Sequence, residues 1–359
     1  METMETYKKN GCRERGVSSI ISYKLLSFQT FHTLLQSIIS TSLLLPALFS
    51  CAVSETEIER TTIMMKAAGG RHMSGTLDIF TFDTEGAGYL DSYQHLDSSS
   101  GPDIELRSQN GVRNVFICMN GQRSVYDWAI VNSMQSLDNI HIELKDERRY
   151  ALCATGEGLI KAGSGTGYTI EMRSMASEIV LNSIRCDFRG KSYEGQPIVA
   201  PVAYLTNVNS RCSLTSDGDI IPSGILNAGR ADPEDIALMA EPDMIYQRMH
   251  SDIGTTRTDV GISFICYPNA GSREGPGTPF TRLVIEGQID GETYWWPIDI
   301  NRNEDTDRPG IHRNTRYIFD INLTRKGSSD PDTVLETDAA EVKMSIMPWE
   351  EKGEQEVAF

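Results

Sequence analysis

The feature that most constrains this chain is a long succession of short apolar runs broken by Gly, Asn, Asp and Ser clusters. Runs at 61–66, 76–82, 114–119, 140–144, 150–154, 168–172 and 178–186 are followed by others at 198–205, 260–267, 282–286, 293–300, 317–323 and 341–347. Short runs bounded by turn residues read as β-strands. Ile140/Ile142/Leu144 and Val342/Met344/Ile346 alternate with polar neighbours, which predicts strands with one wet face. Strands at this spacing favour an all-β chain of antiparallel sandwiches over a parallel α/β sheet. Two short helices are expected. One covers 124–134, with Ser124 as N-cap, Asp127 closing a capping box, and Trp128, Val131 and Met134 near one face. The other covers 232–240, opened by Asp232-Pro233, where proline suits the first helical position. Stretches 98–111 and 270–279 read as surface loops by composition.

The N-terminal segment has a different character. No formally charged residue occurs from Leu25 to Ser50, and Lys8, Lys9, Arg13, Arg15 and Lys24 precede it. The apolar part is densest at 43–49, and Ser50-Cys51 follows. A basic n-region, an apolar h-region and a small residue at the cut make an export signal. A cysteine directly after the small residue resembles a bacterial lipobox, so Cys51 is expected to carry lipid. A transmembrane helix is the competing reading. It is weakened by Gln36, Ser37, Ser40, Thr41, Ser42 and Pro46.

The 359 residues suit two domains, and 39% hydrophobic residues suffice for a packed core. The net charge of −17 argues against nucleic acid as a partner, since that needs a basic patch. Five cysteines remain after the signal, Cys118, Cys153, Cys186, Cys212 and Cys266, and most sit beside apolar residues. Buried unpaired thiols are expected rather than a disulfide set.

Signs of catalysis are sparse. Gly163, Gly165 and Gly167 precede a strand pattern, not the helix N-terminus that a phosphate loop requires. The stretch from Asp299 begins like a calcium loop but has Glu304 where glycine is needed and Gly310 where glutamate is needed. Asn303, Asp305 and Asp307 are all that such a site would retain. No H-E-x-x-H, G-x-S-x-G or C-x-x-C pattern is present. No enzyme activity, cofactor or metal is expected. Tyr294-Trp295-Trp296 is an aromatic run that could stack on sugar rings or simply pack in a sheet.

Several segments, taken in order, resemble the fimbrillins, the subunits of type V pili in Bacteroidetes. After the lipobox come the strand 61–66, Ala67-Ala68-Gly69-Gly70-Arg71, and a second strand within 75–83. Val115-Phe116-Ile117-Cys118-Met119-Asn120 and the helix after it resemble the family's strand-then-helix passage, although Met119 stands where the family usually has a small residue. Ala203–Val208 looks like a strand of the second domain. Arg313-Asn314-Thr315-Arg316-Tyr317 resembles the family's RN-x-x-Y run, and 323–332 its Gly-Ser/Thr-x-x-Pro turn. The ending, with 342–347, Pro348-Trp349 and Val357-Ala358-Phe359, resembles the family's terminal segment.

The resemblance implies two tandem antiparallel, transthyretin-like β-sandwich domains. Their bounds would be a signal over 1–51, a propeptide with its strand over 52–71, and domains over 72–172 and 173–359. It implies a structural pilus subunit, stalk or tip, at the cell surface and outer membrane, serving adhesion. An arginine-specific surface protease would cut after Arg71, with Arg60 as a second candidate. The freed groove would then take a strand from another subunit, with Val342, Met344, Ile346 and Val357 as the donor side chains. Partners are thus other pilus subunits, the outer membrane through the lipid, and the protease. Residues 341–347 also suit completion of their own sheet, and Glu350, Glu351, Lys352, Glu354 and Glu356 make the tail polar for a buried donor. The alternatives are a lipid-retaining anchor subunit and a carbohydrate-binding surface lipoprotein.

Overall fold

The computed structural model describes residues 58–67, 75–85, 88–97, 103–122, 128–165, 167–215, 222–269, 279–302, 308–333, 335 and 339–349. All of them belong to one compact unit, Thr56–Phe359. The chain is all-β. Its first strands are β1 (Ile58–Ala67), β2 (Leu77–Asp83), β3 (Leu90–Leu96), β4 (Asp103–Gln109), β5 (Gly111–Met119), β6 (His141–Glu143), β7 (Ala154–Ala162) and β8 (Tyr168–Ser174). Seven of these form one sheet in the order β3-β2-β5-β7-β8-β1-β4.

That sheet folds over at its centre. β7 and β8 pair only at Ala154–Ser174 and Thr155–Arg173 and then diverge. The two halves, β3-β2-β5-β7 and β8-β1-β4, share a small core of Leu77, Ile79, Val115 and Ile117 from one side and Ile63, Ile104, Leu106 and Ile170 from the other. This is a sandwich made from a single sheet. The opposite face of β2 and β5 carries Phe80, Phe82, Phe116 and Cys118 into the larger core, which continues through later strands to Trp349. Both strands are therefore covered on both faces, which is why they read as nearly continuous apolar runs rather than alternations.

The fold-over requires close approach. A Cβ on Gly156 would stand 2.6 Å from both the Glu171 carbonyl oxygen and Met172 Sδ, whereas one on Gly167 would meet nothing within 4 Å. Gly156→Val is expected to cost roughly 1–3 kcal/mol by overpacking, and Gly167→Ala close to nothing. Urea unfolding of the two variants checks this, and equal midpoints would refute it.

The remaining strands are β9 (Ser177–Cys186), β10 (Val199–Thr206), β11 (Val208–Asn209), β12 (Arg211–Ser213), β13 (Ile225–Leu226), β14 (Tyr246–Arg248), β15 (Thr258–Cys266), β16 (Arg282–Ile289), β17 (Glu292–Asp299), β18 (Thr315–Leu323) and β19 (Ala340–Pro348). They form two four-stranded sheets, β14-β10-β16-β17 and β15-β9-β18-β19, while β11 pairs with β13 and β12 with β6. The Arg-Asn-x-x-Tyr run ties the end of β8 to the start of β18. Arg313 Nη2 donates to Thr155 Oγ1 (2.8 Å) and to the Arg173 carbonyl (2.9 Å). Asn314, at φ 55°, accepts from the Ser174 N–H, and Tyr317 donates to the Gly310 carbonyl. Asparagine tolerates that left-handed turn better than most residues.

Several expectations are corrected. The loop expected over 98–111 contains β4, whose Ile104, Leu106 and Ser108 point inward while its other residues are exposed. The run 150–154 is not a strand. Tyr150 is 94% exposed, and the strand begins at Ala154 and runs on to Ala162. Of the helix expected over 124–134, residues 124–127 lie outside the described residues, and Trp128–Ile130 is a single 3-10 turn. The α-helix comes later as α1 (Met134–Leu137), capped by Ser133 with Ser136 returning the bond. The second helix, α2 (Pro233–Leu238), starts at its Asp232 cap as expected. Ile140, Ile142 and Leu144 are buried, but Val342 and Ile346 are 39% and 46% exposed, so β19 is wet on both faces.

Candidate functional site

Two strands, β1 and β19, hold the described residues singled out for assembly. β1 is the inner strand of its half-sheet, between β8 and β4. Its residues 58–64 pair antiparallel with 109–103 of β4, and 63–67 pair parallel with 168–172 of β8. Each half of β1 is thus held by a different neighbour, and Ile63 stands where the two ladders overlap. Ile63 is 1% exposed and lies opposite Ile104, with Ile170 and Leu106 in the same core. Full burial of such a side chain stabilises by about 1.5–3 kcal/mol. Taking β1 away would open an apolar slot with unpaired backbone on both walls, a ready template for another strand.

The outer edge of β4 is guarded by side chains of β3. Ser92 Oγ donates to the Arg107 carbonyl at 2.8 Å, and Asp91 Oδ2 accepts the Gln109 N–H at 3.0 Å. The outer edge of this half-sheet is therefore blunted. Sequence reasoning identified β1 but missed β4, the wall of its slot. Only Ile104 and Leu106 carry the alternation there, because the third inward position is Ser108.

Cys51, Arg71 and Val357 lie outside the described residues. Arg60 is within β1, with its backbone paired to Arg107 and its guanidinium Nε 3.1 Å from Glu105 Oε1. That exposed pair contributes little to stability. Val342, Met344 and Ile346 share one face of β19, opposite Ile321, Phe319 and Tyr317 of β18. The three β18 residues are at most 3% exposed, whereas Val342 and Ile346 are exposed and Met344 is partly buried against the main core, and β18 is the strand paired with β19 in its sheet. β19 is therefore an apolar edge strand held on one side.

The polar chemistry elsewhere is structural in character. All five described cysteines are free and buried. Burial pushes the Cys212 thiol up to about 12 and the Cys266 thiol up as well, so neither is a ready nucleophile. His95 Nδ1 and the Tyr93 hydroxyl both bond Asp78 Oδ1, at 2.8 and 2.6 Å. Asp299 accepts from Arg282 and Arg302, at 2.7 and 2.6 Å. Its expected calcium-loop companions Asn303, Asp305 and Asp307 lie outside the described residues. Among the described residues no group of three His, Cys, Asp or Glu side chains is arranged to hold a metal ion. No described helix is long and apolar enough to cross a membrane.

No protein-family model and no curated protein sequence matches the chain. Solved structures do. A candidate cell-adhesion protein of Bacteroides eggerthii aligns over 82% of this chain and 96% of its own, at 16% identity and TM-score 0.60. A fimbrilin of Porphyromonas gingivalis aligns over 82% of this chain and 98% of its own, at 11% identity and TM-score 0.58. The chain has the fimbrillin fold. The tip fimbrial protein of Porphyromonas gingivalis, solved with a C-terminal truncation, also aligns, over 82% of this chain and 100% of its own, at 12% identity and TM-score 0.52. These likenesses extend over nearly the full length of each solved fimbrial or adhesion protein.

Proposed function

We propose that this protein is a structural subunit of a cell-surface pilus, stalk or tip, that polymerises by exchange of strands between subunits and serves adhesion. The position of β1 carries the reading. A detachable N-terminal strand is held between two walls in the middle of a half-sheet, just ahead of a Gly-rich, arginine-ending linker. In this reading Cys51 holds the precursor at the outer membrane through lipid, and two or more acyl chains keep it there. An arginine-specific surface protease cuts after Arg71, and residues 52–71 leave with β1. The emptied slot accepts the C-terminal segment of the next subunit, with Val342, Met344, Ile346 and Val357 entering pockets. Backbone bonds supply affinity and alternate side chains supply specificity. The exposure of Val342 and Ile346 and the one-sided pairing of β19 support a segment with apolar side chains open to a second partner. Such a contact is head-to-tail and does not close, so it propagates as a fibre. We also assign residues 72–172 and 173–359 to two β-sandwich domains. In support, the seven-stranded sheet ends at Ser174 and the two four-stranded sheets begin at Ser177.

The test is the N-terminus of the protein isolated from the cell surface, by intact mass and end-group sequencing. A mature protein starting at His72 is the expected result. A mature protein starting at an acylated Cys51 would leave β1 in its slot and replace this reading with that of a fibre-terminating anchor.

A further inference from the structure

We propose that a cleft on the outer face of the sheet β14-β10-β16-β17 binds a neutral, polyhydroxylated sugar. The run Tyr294-Trp295-Trp296 does not form a common platform, because strand alternation separates its members. Trp296 is fully buried, and its Nε1–H donates to the Arg325 carbonyl at 3.0 Å. Trp295 points to the other face of the sheet. There it meets Val202, Tyr204, Val284, Tyr246 and Ala231, a small apolar cluster separate from the main core.

Glu286 organises this floor. Its Oε2 accepts from the Tyr204 hydroxyl at 3.1 Å and from Trp295 Nε1 at 3.0 Å. Tyr204 stacks on Tyr246 with ring centres 5.9 Å apart. Burial, and then the Glu286 charge, hold the Tyr204 hydroxyl protonated. Trp295 is thus fixed by its backbone ladder and by its ring nitrogen, and an aromatic fixed in advance binds at small entropic cost. The walls come from residues 228–231 and 330–332, enclosing a cleft of about 450 Å³, within the rough 300–1,000 Å³ range of small-ligand sites. The walls meet where Gly229, at φ +70°, lets the Asp332 carboxyl carbon stand 3.1 Å from the position of a Cβ.

The charges select the ligand class. Asp332 Oδ1 accepts from Arg282 Nη1 at 2.8 Å, and Asp330 Oδ1 accepts the Asp332 N–H at 2.9 Å. Glu286 is already solvated by two neutral donors. Arg230 lines the cleft together with Asp330 and Asp332. A cationic ligand would meet Arg230, and an anionic one would meet Glu286 and Asp330. A hydroxyl both donates and accepts, so a row of hydroxyls matches a lining that holds carboxylates and an arginine. The apolar C–H face of a sugar ring matches the face of Trp295.

This site goes beyond the fibre reading and does not depend on it, because an unpolymerised subunit is enough to test it. The purified full chain would be screened against an array of neutral glycans that includes lactose, maltotriose, mannotriose and diacetylchitobiose. Saturable binding to at least one glycan is expected. Arg230→Ala and Trp295→Ala should weaken it roughly tenfold or more, about 1.4 kcal/mol or above. Tyr150→Ala, an exposed aromatic outside the cleft, should leave it unchanged. Arg230 is exposed, so its variant keeps the test valid if Trp295→Ala misfolds. Silence across the array, or binding that is indifferent to Arg230→Ala, would overturn the assignment. So would capture of a lysine-rich peptide in place of any sugar.

Discussion

Replacing Arg71 by alanine is expected to abolish incorporation into fibres while leaving the subunit folded. Without the cut, residues 52–71 stay attached and β1 stays in its slot. Ile63 continues to occupy the pocket it shares with Ile104, Leu106 and Ile170, and no incoming strand can displace a covalently tethered one at ordinary subunit concentrations. Arg71→Lys should behave like Arg71→Ala if the protease requires a guanidinium, since the two cations differ in shape and hydrogen-bonding fork. Arg60→Ala should assemble normally. Its backbone is held in the β1–β4 ladder at Arg107, and proteases favour exposed, unpaired chain. Gel analysis of sheared surface material, with the intact mass of each band, reads all three variants. Fibres built from the uncut Arg71→Ala chain would sink the strand-exchange account outright. Loss of fibres in Arg60→Ala instead would move the cut to Arg60.

The parts of this fold legible in the sequence are those where one local pattern has one structural solution. The runs 76–82 and 114–119 announce strands, and the structure covers both on each face. The Asp232-Pro233 pair gives the start of α2. Strands whose inward positions are not large hydrophobics are illegible. β7 places Gly156 and Gly158 against Ile170 and Met172, so the residues that permit its packing erase its apolar signal. The Trp128/Val131/Met134 spacing suggested a helix face, but a 3-10 turn and a bend bury Trp128 and Val131 equally well. Alternation in 342–346 gave a strand, yet whether a neighbour covers that strand is a property of the whole sheet. For the candidate site, β1 is legible from its own apolar run, 61–66. Its pairing with β8 is not, although the run 168–172 itself reads as a strand, because that parallel ladder joins segments a hundred residues apart.

The protein is expected to lose stability as pH rises from about 4.5 to about 7, and a single carboxyl should account for much of the loss. Glu147 is 2% exposed. Its Oε1 accepts from the Tyr267 hydroxyl at 2.7 Å and its Oε2 from the Cys153 N–H at 3.1 Å. Burial lifts its carboxyl from an ordinary 4.5 to about 7, against the lowering effect of those two bonds. A folded-state value above the unfolded one means that the folded chain holds a proton the unfolded chain has already released. Below pH 4.5 both states are protonated and nothing is lost; above pH 7 the folded state carries the full cost of a buried charge. The interval converts to about 3 kcal/mol. Glu147→Gln keeps the size and two polar atoms of the side chain but removes the charge. Urea unfolding of both proteins at pH 5 and pH 8 separates this group from all others that titrate. The glutamine variant should match the native chain near pH 5 and exceed it at pH 8 by most of that figure. A difference between the two proteins that stays constant across pH would show that Glu147 does not titrate in this window. The same carboxyl links the turn after β6, the approach to β7 and Tyr267 just beyond β15. Charging it loads the region where strands on either side of Ser174 share one core, so the pH effect should appear as a shift of the main unfolding transition rather than as local fraying.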